Sequence, residues 1–379
     1  MNFAFDDEQQ ALREMARGFL ADHSSGDQVR SAMASELGFD AEVWKRIGQE
    51  LGWPAVIVPE AYGGLGLSYV ELVALLEVTG GALLCSPFFS SVCLAGNALL
   101  QAGTEDQKRE HLRGIAEGQT LATLAFSEAT GRWNASEVAA LAVRDGDGYV
   151  LNGHKRFVPD GHCAELLVVA ARREGSHGDD GVSLFLVPGD APGLERRALP
   201  TMDATRRQAE LLLRDVRVPA TALMGEEGGA WPALRKTLDL AAVALAAEQV
   251  GGAQRCLDLS VDYAKERVQF GRPIGSFQAI KHMCADMMVR VESARSAAYY
   301  AGCVAAEDAA ELPLVASLAK AYCSEAFFHC AAQAIQIHGG VGFTWEYDVH
   351  LYFKRAKSTE VFLGDPALHR ERVAGLIGL

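Results

Sequence analysis

Apolar positions recur at helical spacing through the first 120 residues. Phe5, Leu12, Ala16, Phe19 and Leu20 fall near one face, beside Asp6 and Asp7, residue types that favour a helix start. The spacing predicts further helices over 41–51, 68–79, 87–101 and 105–115. The Pro- and Gly-rich run Pro59-Glu60-Ala61-Tyr62-Gly63-Gly64-Leu65-Gly66 breaks the series as a loop. From about residue 120 the pattern changes to short Val- and Leu-rich runs, which predict strands at 121–126, 139–143, 149–151, 166–170, 182–187 and 211–218. Asp145-Gly146, Asp147-Gly148 and Asn152-Gly153 punctuate them as hairpin turns, because these residues accept positive φ. The polar stretch 174–181 reads as an exposed loop. After Gly228-Gly229 the helical period returns: Leu238, Ala241, Ala242, Leu245, Leu257, Val261 and Ala264 share a face, and so do Phe277, Ile280, Met287, Val291, Ala294 and Ala298. The expected fold is α+β, with a helical domain over 1–120, a β domain over 121–228 and a helical bundle, four helices in the core, over 229–379.

Composition narrows the function. Among 379 residues the formal net charge is −14, which argues against nucleic acid, since phosphate binding needs a basic stripe. The longest apolar run, 240–247, is far shorter than the ~20 residues a membrane helix needs. The opening Met1-Asn2-Phe3-Ala4-Phe5-Asp6-Asp7 has neither a basic flank nor an apolar core for export, so a soluble, cytoplasmic chain is expected. Eight cysteines form no CxxC pair, and ten histidines form no HExxH. No metal site is expected.

Several motifs then converge. The 59–66 loop, the segment Leu151-Asn152-Gly153-His154-Lys155-Arg156-Phe157, the run from Arg267 through Phe270 to Gln278, and Gln336-Ile337-His338-Gly339-Gly340-Val341-Gly342-Phe343 occur in order along the chain. As a set they resemble the acyl-CoA dehydrogenase family. The resemblance implies bound FAD and oxidation of an acyl-CoA thioester, with an electron-transfer flavoprotein as electron acceptor. It also implies that Arg267, Phe270, Gln336, Gly339 and Gly340 reach the FAD of a neighbouring subunit. The chemistry suits that role. Arg267 offers a forked cation for a diphosphate, Phe270 an aromatic surface and Gln336 an amide, while the glycines let backbone approach closely. Singly, Arg267 reads as well as a solvated helix-end residue, and the Gly pair as a helix C-cap. For the chain's own flavin the resemblance points to Ser127, which keeps a hydroxyl, and to the aromatic Phe157.

Three departures stand out. Trp133 stands where the family has a small serine near the diphosphate. Pro159 stands where a hydroxyl residue is usual, and it offers neither hydroxyl nor N–H. Most consequential is the base. Abstraction of the α-proton as hydride leaves the β-carbon needs a carboxylate in a dry pocket. The family places that Glu at the position held here by Leu363, or alternatively on the first bundle helix, at the position held by Ala241. Glu248, Glu360 and Asp365 are the nearest acids, and each reads more simply as a capping or solvent-facing residue. The catalytic set within this chain is therefore expected to be empty. The resemblance points to the base-less subunit of an α2β2 heterotetramer of lipid or steroid catabolism, whose second acyl-CoA dehydrogenase-type subunit supplies the Glu. A homotetramer with a relocated base and a non-catalytic CoA-ester-binding scaffold are the alternatives.

Overall fold

A computed structural model gives the fold, and it describes residues 6–379. Phe5, and the rest of the opening segment before Asp6, lie outside the described residues. In chain order the helices are α1 (Asp7–His23), α2 (Gly26–Ala34), α3 (Ala41–Gln49), α4 (Tyr69–Gly81), α5 (Asn97–Ala102), α6 (Glu105–Ala116), α7 (Trp231–Glu266), α8 (Gln278–Ala306), α9 (Leu312–His338), α10 (Val349–Val361) and α11 (Pro366–Leu376). The strands are β1 (Ala122–Ala125), β2 (Leu141–Asp145), β3 (Gly148–Pro159), β4 (Leu166–Arg173), β5 (Val182–Pro188), β6 (Leu194–Ala198), β7 (Gln208–Pro219), β8 (Leu223–Met224), β9 (Val268–Gln269) and β10 (Arg272–Pro273). Helices thus precede and follow a central sheet. Helix starts follow local chemistry: Asp6 with Gln9, Ser68 with Glu71 and Thr104 with Gln107 each close a capping box.

The chain divides into two compact units, one of residues 32–67 and 85–241, the other of 1–31, 68–84 and 242–379. In the first, the strands run β6-β7-β3-β2-β4-β5-β8, with β1 paired in parallel to β4. Seven of the eight residues of β4 are buried, so its apolar run needs no alternation. Leu167, Val169, Phe185, Val187, Leu211 and Leu213 anchor the core.

Three local expectations are corrected here. Asn152-Gly153 is not a turn. It lies inside β3, at a shift of register against β7 between Leu151 and Gly153, where the Asn152 side chain exchanges hydrogen bonds with Asp215. The true β2–β3 turn is Gly146-Asp147, closed by Asp145 opposite Gly148. The helix expected over 87–101 begins as π-helix, Phe89–Gly96, and continues as α5. There Ser90 donates to Asp160 (2.6 Å), while Ser91 bonds both backbone groups of Ala122, tertiary contacts that a one-dimensional period cannot register. Strand β6, for which no strand is expected above, lacks an apolar run: Glu195, Arg196 and Arg197 make it a charged sheet edge.

In the second unit, α8, α10 and α11 all pack on α9, and α4 packs on α1 and α8. Glycine lets α4 and α7 approach closely. A Cβ on Gly251 would stand 1.8 Å from the Glu77 carbonyl oxygen, whereas one on Gly81 would stand 3.4 Å from the Gly251 oxygen. Gly251→Ala should therefore cost about 1–3 kcal/mol of stability, and Gly81→Ala much less. Urea midpoints compare the two. Equal midpoints would show that the helices part freely.

Candidate functional site

Within the sheet unit the loop after β1 is tied to β3 at three consecutive residues. Lys155, fully buried, donates from Nζ to Glu128 Oε1 (2.6 Å) and to the Phe126 carbonyl (3.3 Å). Between them, the Ser127 carbonyl accepts from Arg156 N–H at 2.9 Å. Glu128 Oε1 also accepts from the Ala139 and Ala140 amides, each at 3.0 Å. Burial pushes the Lys155 ammonium pKa down, against the pull of Glu128. Ser127 itself is buried, and its Oγ has no hydrogen-bond partner.

Phe157 lies one residue past that tie, in a bulge: Lys155 pairs with Leu211 and Val158 with Ala209, so Arg156 and Phe157 together oppose the single residue Glu210 of β7. Its φ is 57°, in the left-handed region that costs a bulky residue ~1–3 kcal/mol. Pro159 closes the strand, its carbonyl accepting from Thr123 Oγ1 at 2.7 Å. Trp133 leans on Phe126 with centroids 5.6 Å apart, and Phe126 in turn lies 6.1 Å from Trp231.

Within the helical unit, Arg267, Phe270, Gln336, Gly339 and Gly340 are all exposed. Arg267 directly follows α7, and Phe270, 92% exposed and at φ 53°, tops the β9–β10 hairpin. Gln336 and the glycines end α9. A ring stack brings these two helix ends together. Tyr263, whose carbonyl accepts from Arg267 N–H, stacks on His338 at 4.2 Å, and Tyr347 meets both rings edge-on. A Cβ on Gly339 or Gly340 would meet nothing within 4 Å. That side of the backbone is open to whatever approaches from outside.

Leu363 occupies a tightly held turn in the same unit. It is buried, at φ 62°, and Gly364 follows at φ 100°. Lys320, again with no surface exposure, donates to the Glu360 and Gly364 carbonyls (both 3.0 Å) and to Ser324 Oγ (2.9 Å). His369 Nε2 lies 3.0 Å from the Leu363 carbonyl. Burial pulls the Lys320 pKa down to about 7, against the opposing pull of Cys323, Glu360 and Asp365. Ala241, in α7, is fully buried in the sheet unit.

The neighbouring acids are engaged elsewhere. Glu248 forms a buried ion pair with Arg355. Glu360 pairs with Lys357 at 2.8 Å, and Asp365 caps α11 by accepting from Leu368 N–H at 2.8 Å. Sequence reasoning found the residues at chain turns but missed Lys155, Lys320 and the Tyr263–His338 stack. The one local signal was a lone lysine inside an apolar run, as in Val315-Ala316-Ser317-Leu318-Ala319-Lys320-Ala321. Among the described residues no helix is long and apolar enough to cross a membrane, and no three His, Cys, Asp or Glu side chains cluster to hold a metal.

Comparison with known proteins covers nearly the whole chain. Residues 6–119, 123–216 and 228–377 match the family models for the N-terminal, middle and C-terminal domains of acyl-CoA dehydrogenase. The acyl-CoA dehydrogenase IpdE2 of Mycolicibacterium smegmatis is 35% identical over 362 residues, 95% of this chain and 96% of its own. Among solved structures, a chain of the Mycobacterium tuberculosis ChsE4–ChsE5 complex superposes with a TM-score of 0.90 at 28% identity, over all of this chain and all of its own. The Tcur3481–Tcur3483 steroid ACAD does so at 0.87 and 33% identity, over 98% of each.

Proposed function

The chain belongs to the acyl-CoA dehydrogenase family, and from that premise we propose that it is the base-less, cytoplasmic subunit of a hetero-oligomeric, FAD-dependent acyl-CoA dehydrogenase. The observation that carries this reading is the filling of both base positions by Leu363 and Ala241, with Glu248, Glu360 and Asp365 engaged in other bonds. A carboxylate from a second acyl-CoA dehydrogenase-type subunit would take the α-proton. FAD, when bound, supplies the acceptor for the hydride from the β-carbon.

This chain's contribution is binding and orientation. Arg267, Phe270, Gln336, Gly339 and Gly340 project from one end of the helical unit, free to complete the FAD site of the partner. Ser127 and Phe157 are what the sheet unit offers to a flavin of its own. The fit is chemical: an unpaired buried hydroxyl at Ser127 wants a partner, and the guanidinium of Arg267 suits a diphosphate. An electron-transfer flavoprotein would receive the electrons. The likeness to a steroid ACAD and to a two-chain complex supports a CoA ester of lipid or steroid breakdown as substrate, and an α2β2 assembly.

The test is flavin retention by the assembled complex. Arg267→Ala removes a charge-assisted contact worth about 1.5–3 kcal/mol, so FAD should dissociate on gel filtration where the parent complex keeps it. Unchanged flavin content would contradict the assignment.

A further inference from the structure

We propose that the buried Glu128–Lys155 pair is a positioning device that holds the Ser127 hydroxyl ready for a flavin bound to this chain's own sheet unit. This rests on the reading of Ser127 as a flavin contact and adds how that contact is set. Lys155 bonds the residue on each side of Ser127, the Phe126 carbonyl and the Glu128 carboxylate. Arg156, next to it on β3, bonds the Ser127 carbonyl. Glu128 in turn fastens the loop to the backbone at Ala139 and Ala140. The Ser127 Oγ is left buried and unpartnered amid this tied framework. A buried hydroxyl without a partner is costly, and a slack loop would turn it towards water. Fixing both neighbours prevents that relaxation. The same strand segment carries Phe157 into its left-handed bulge, so one short stretch, 155–157, sets both the hydroxyl and the ring.

Trp133 packs on the ring of Phe126, the residue whose carbonyl Lys155 holds, so it abuts the tie. Pro159 meets Thr123 through its carbonyl, which any residue could offer.

Removing Lys155 alone strands a buried carboxylate and can unfold the sheet. The useful variant is Lys155→Met/Glu128→Leu, which replaces the pair by apolar groups of similar size. The full-length protein, as isolated, is titrated with FAD alone and followed by flavin fluorescence, with thermal unfolding of the same samples as the check on folding. Ser127→Ala should weaken FAD binding up to about tenfold, the scale of one neutral hydrogen bond. The paired variant should weaken it as much; its unfolding midpoint falls because the Ala140 amide and the Phe126 carbonyl lose their partners, so binding is compared at a temperature where both proteins are fully folded. The triple variant should lose nothing further, because both changes remove one hydroxyl contact. Additive losses, or full FAD affinity in the folded paired variant, overturn the positioning role. A parent protein that binds no FAD overturns the Ser127 assignment and this proposal together. Neither result touches the base-less reading, which stands or falls on turnover.

Discussion

Purified free of any second chain, the protein should oxidise acyl-CoA thioesters about 10²–10⁴-fold more slowly than a family member with its base in place. The factor is the usual cost of removing a general base. Leu363 cannot accept a proton, and Ala241 is a buried methyl group. Rescue by a neighbour is closed off in each case. Glu248 is held by Arg355, Glu360 by Lys357, and Asp365 points its carboxylate at the amide of Leu368. The measurement is steady-state turnover with a panel of acyl-CoAs and an artificial electron acceptor. Activity should appear when a second subunit carrying the Glu is added. Leu363→Glu would enter a turn already held by Lys320 and His369, but should not bring the isolated chain to full rate, because Trp133 and Pro159 still alter its own flavin surroundings. Robust turnover by the unmodified chain alone would refute the half-site reading and direct attention back to those three acids.

Lys320 makes stability depend on pH in an uncommon direction. Its pKa falls from the ordinary 10.5 to about 7, chiefly because burial disfavours the charged form. Between those two values the unfolded chain holds a proton that the folded chain has released. Raising pH through that window removes an advantage of the unfolded state, so this group's contribution to stability grows from about pH 7 to about pH 10.5 and is flat below. At about 1.4 kcal/mol per unit, a gap of this size amounts to roughly 5 kcal/mol at its fullest. Lys320→Met should abolish the slope while leaving the Glu360 and Gly364 carbonyls short of a donor. The variant's deficit relative to the parent should then widen from pH 7 to pH 10 in urea titrations. Taking the difference cancels the slopes of cysteines and tyrosines common to both proteins. A deficit constant with pH would place the Lys320 proton elsewhere.

The order of helices, sheet and helices was legible because periodicity is a local property and each domain repeats it many times. The candidate site was legible only at its edges. Arg267, Phe270, Gln336 and the Gly pair stand at element ends, where residue type alone signals unusual chemistry. What joins them was not legible: the Tyr263–His338 stack spans α7 and α9, and no local pattern announces it. The lysines failed for the opposite reason. Lys320, a lone charge in an apolar run, and Lys155, set between His154 and Arg156, both read as residues that escape to solvent, and only their tertiary acceptors keep them inside. Asn152-Gly153 misled because a bulge and a turn ask the same conformational freedom of their residues.

Those two lysines also make the protein its own stopwatch. Among the described residues each compact unit holds one fully buried lysine amine, Lys155 in the sheet unit and Lys320 in the helical unit. An amine-reactive reagent can reach neither until the surrounding structure opens. Surface lysines such as Lys45 and Lys281 are modified at once, whereas the appearance of label on 155 or 320 marks an opening of that particular unit. Peptide mapping of a timed reaction therefore reads the opening frequencies of the two halves separately, in one tube and without an engineered probe.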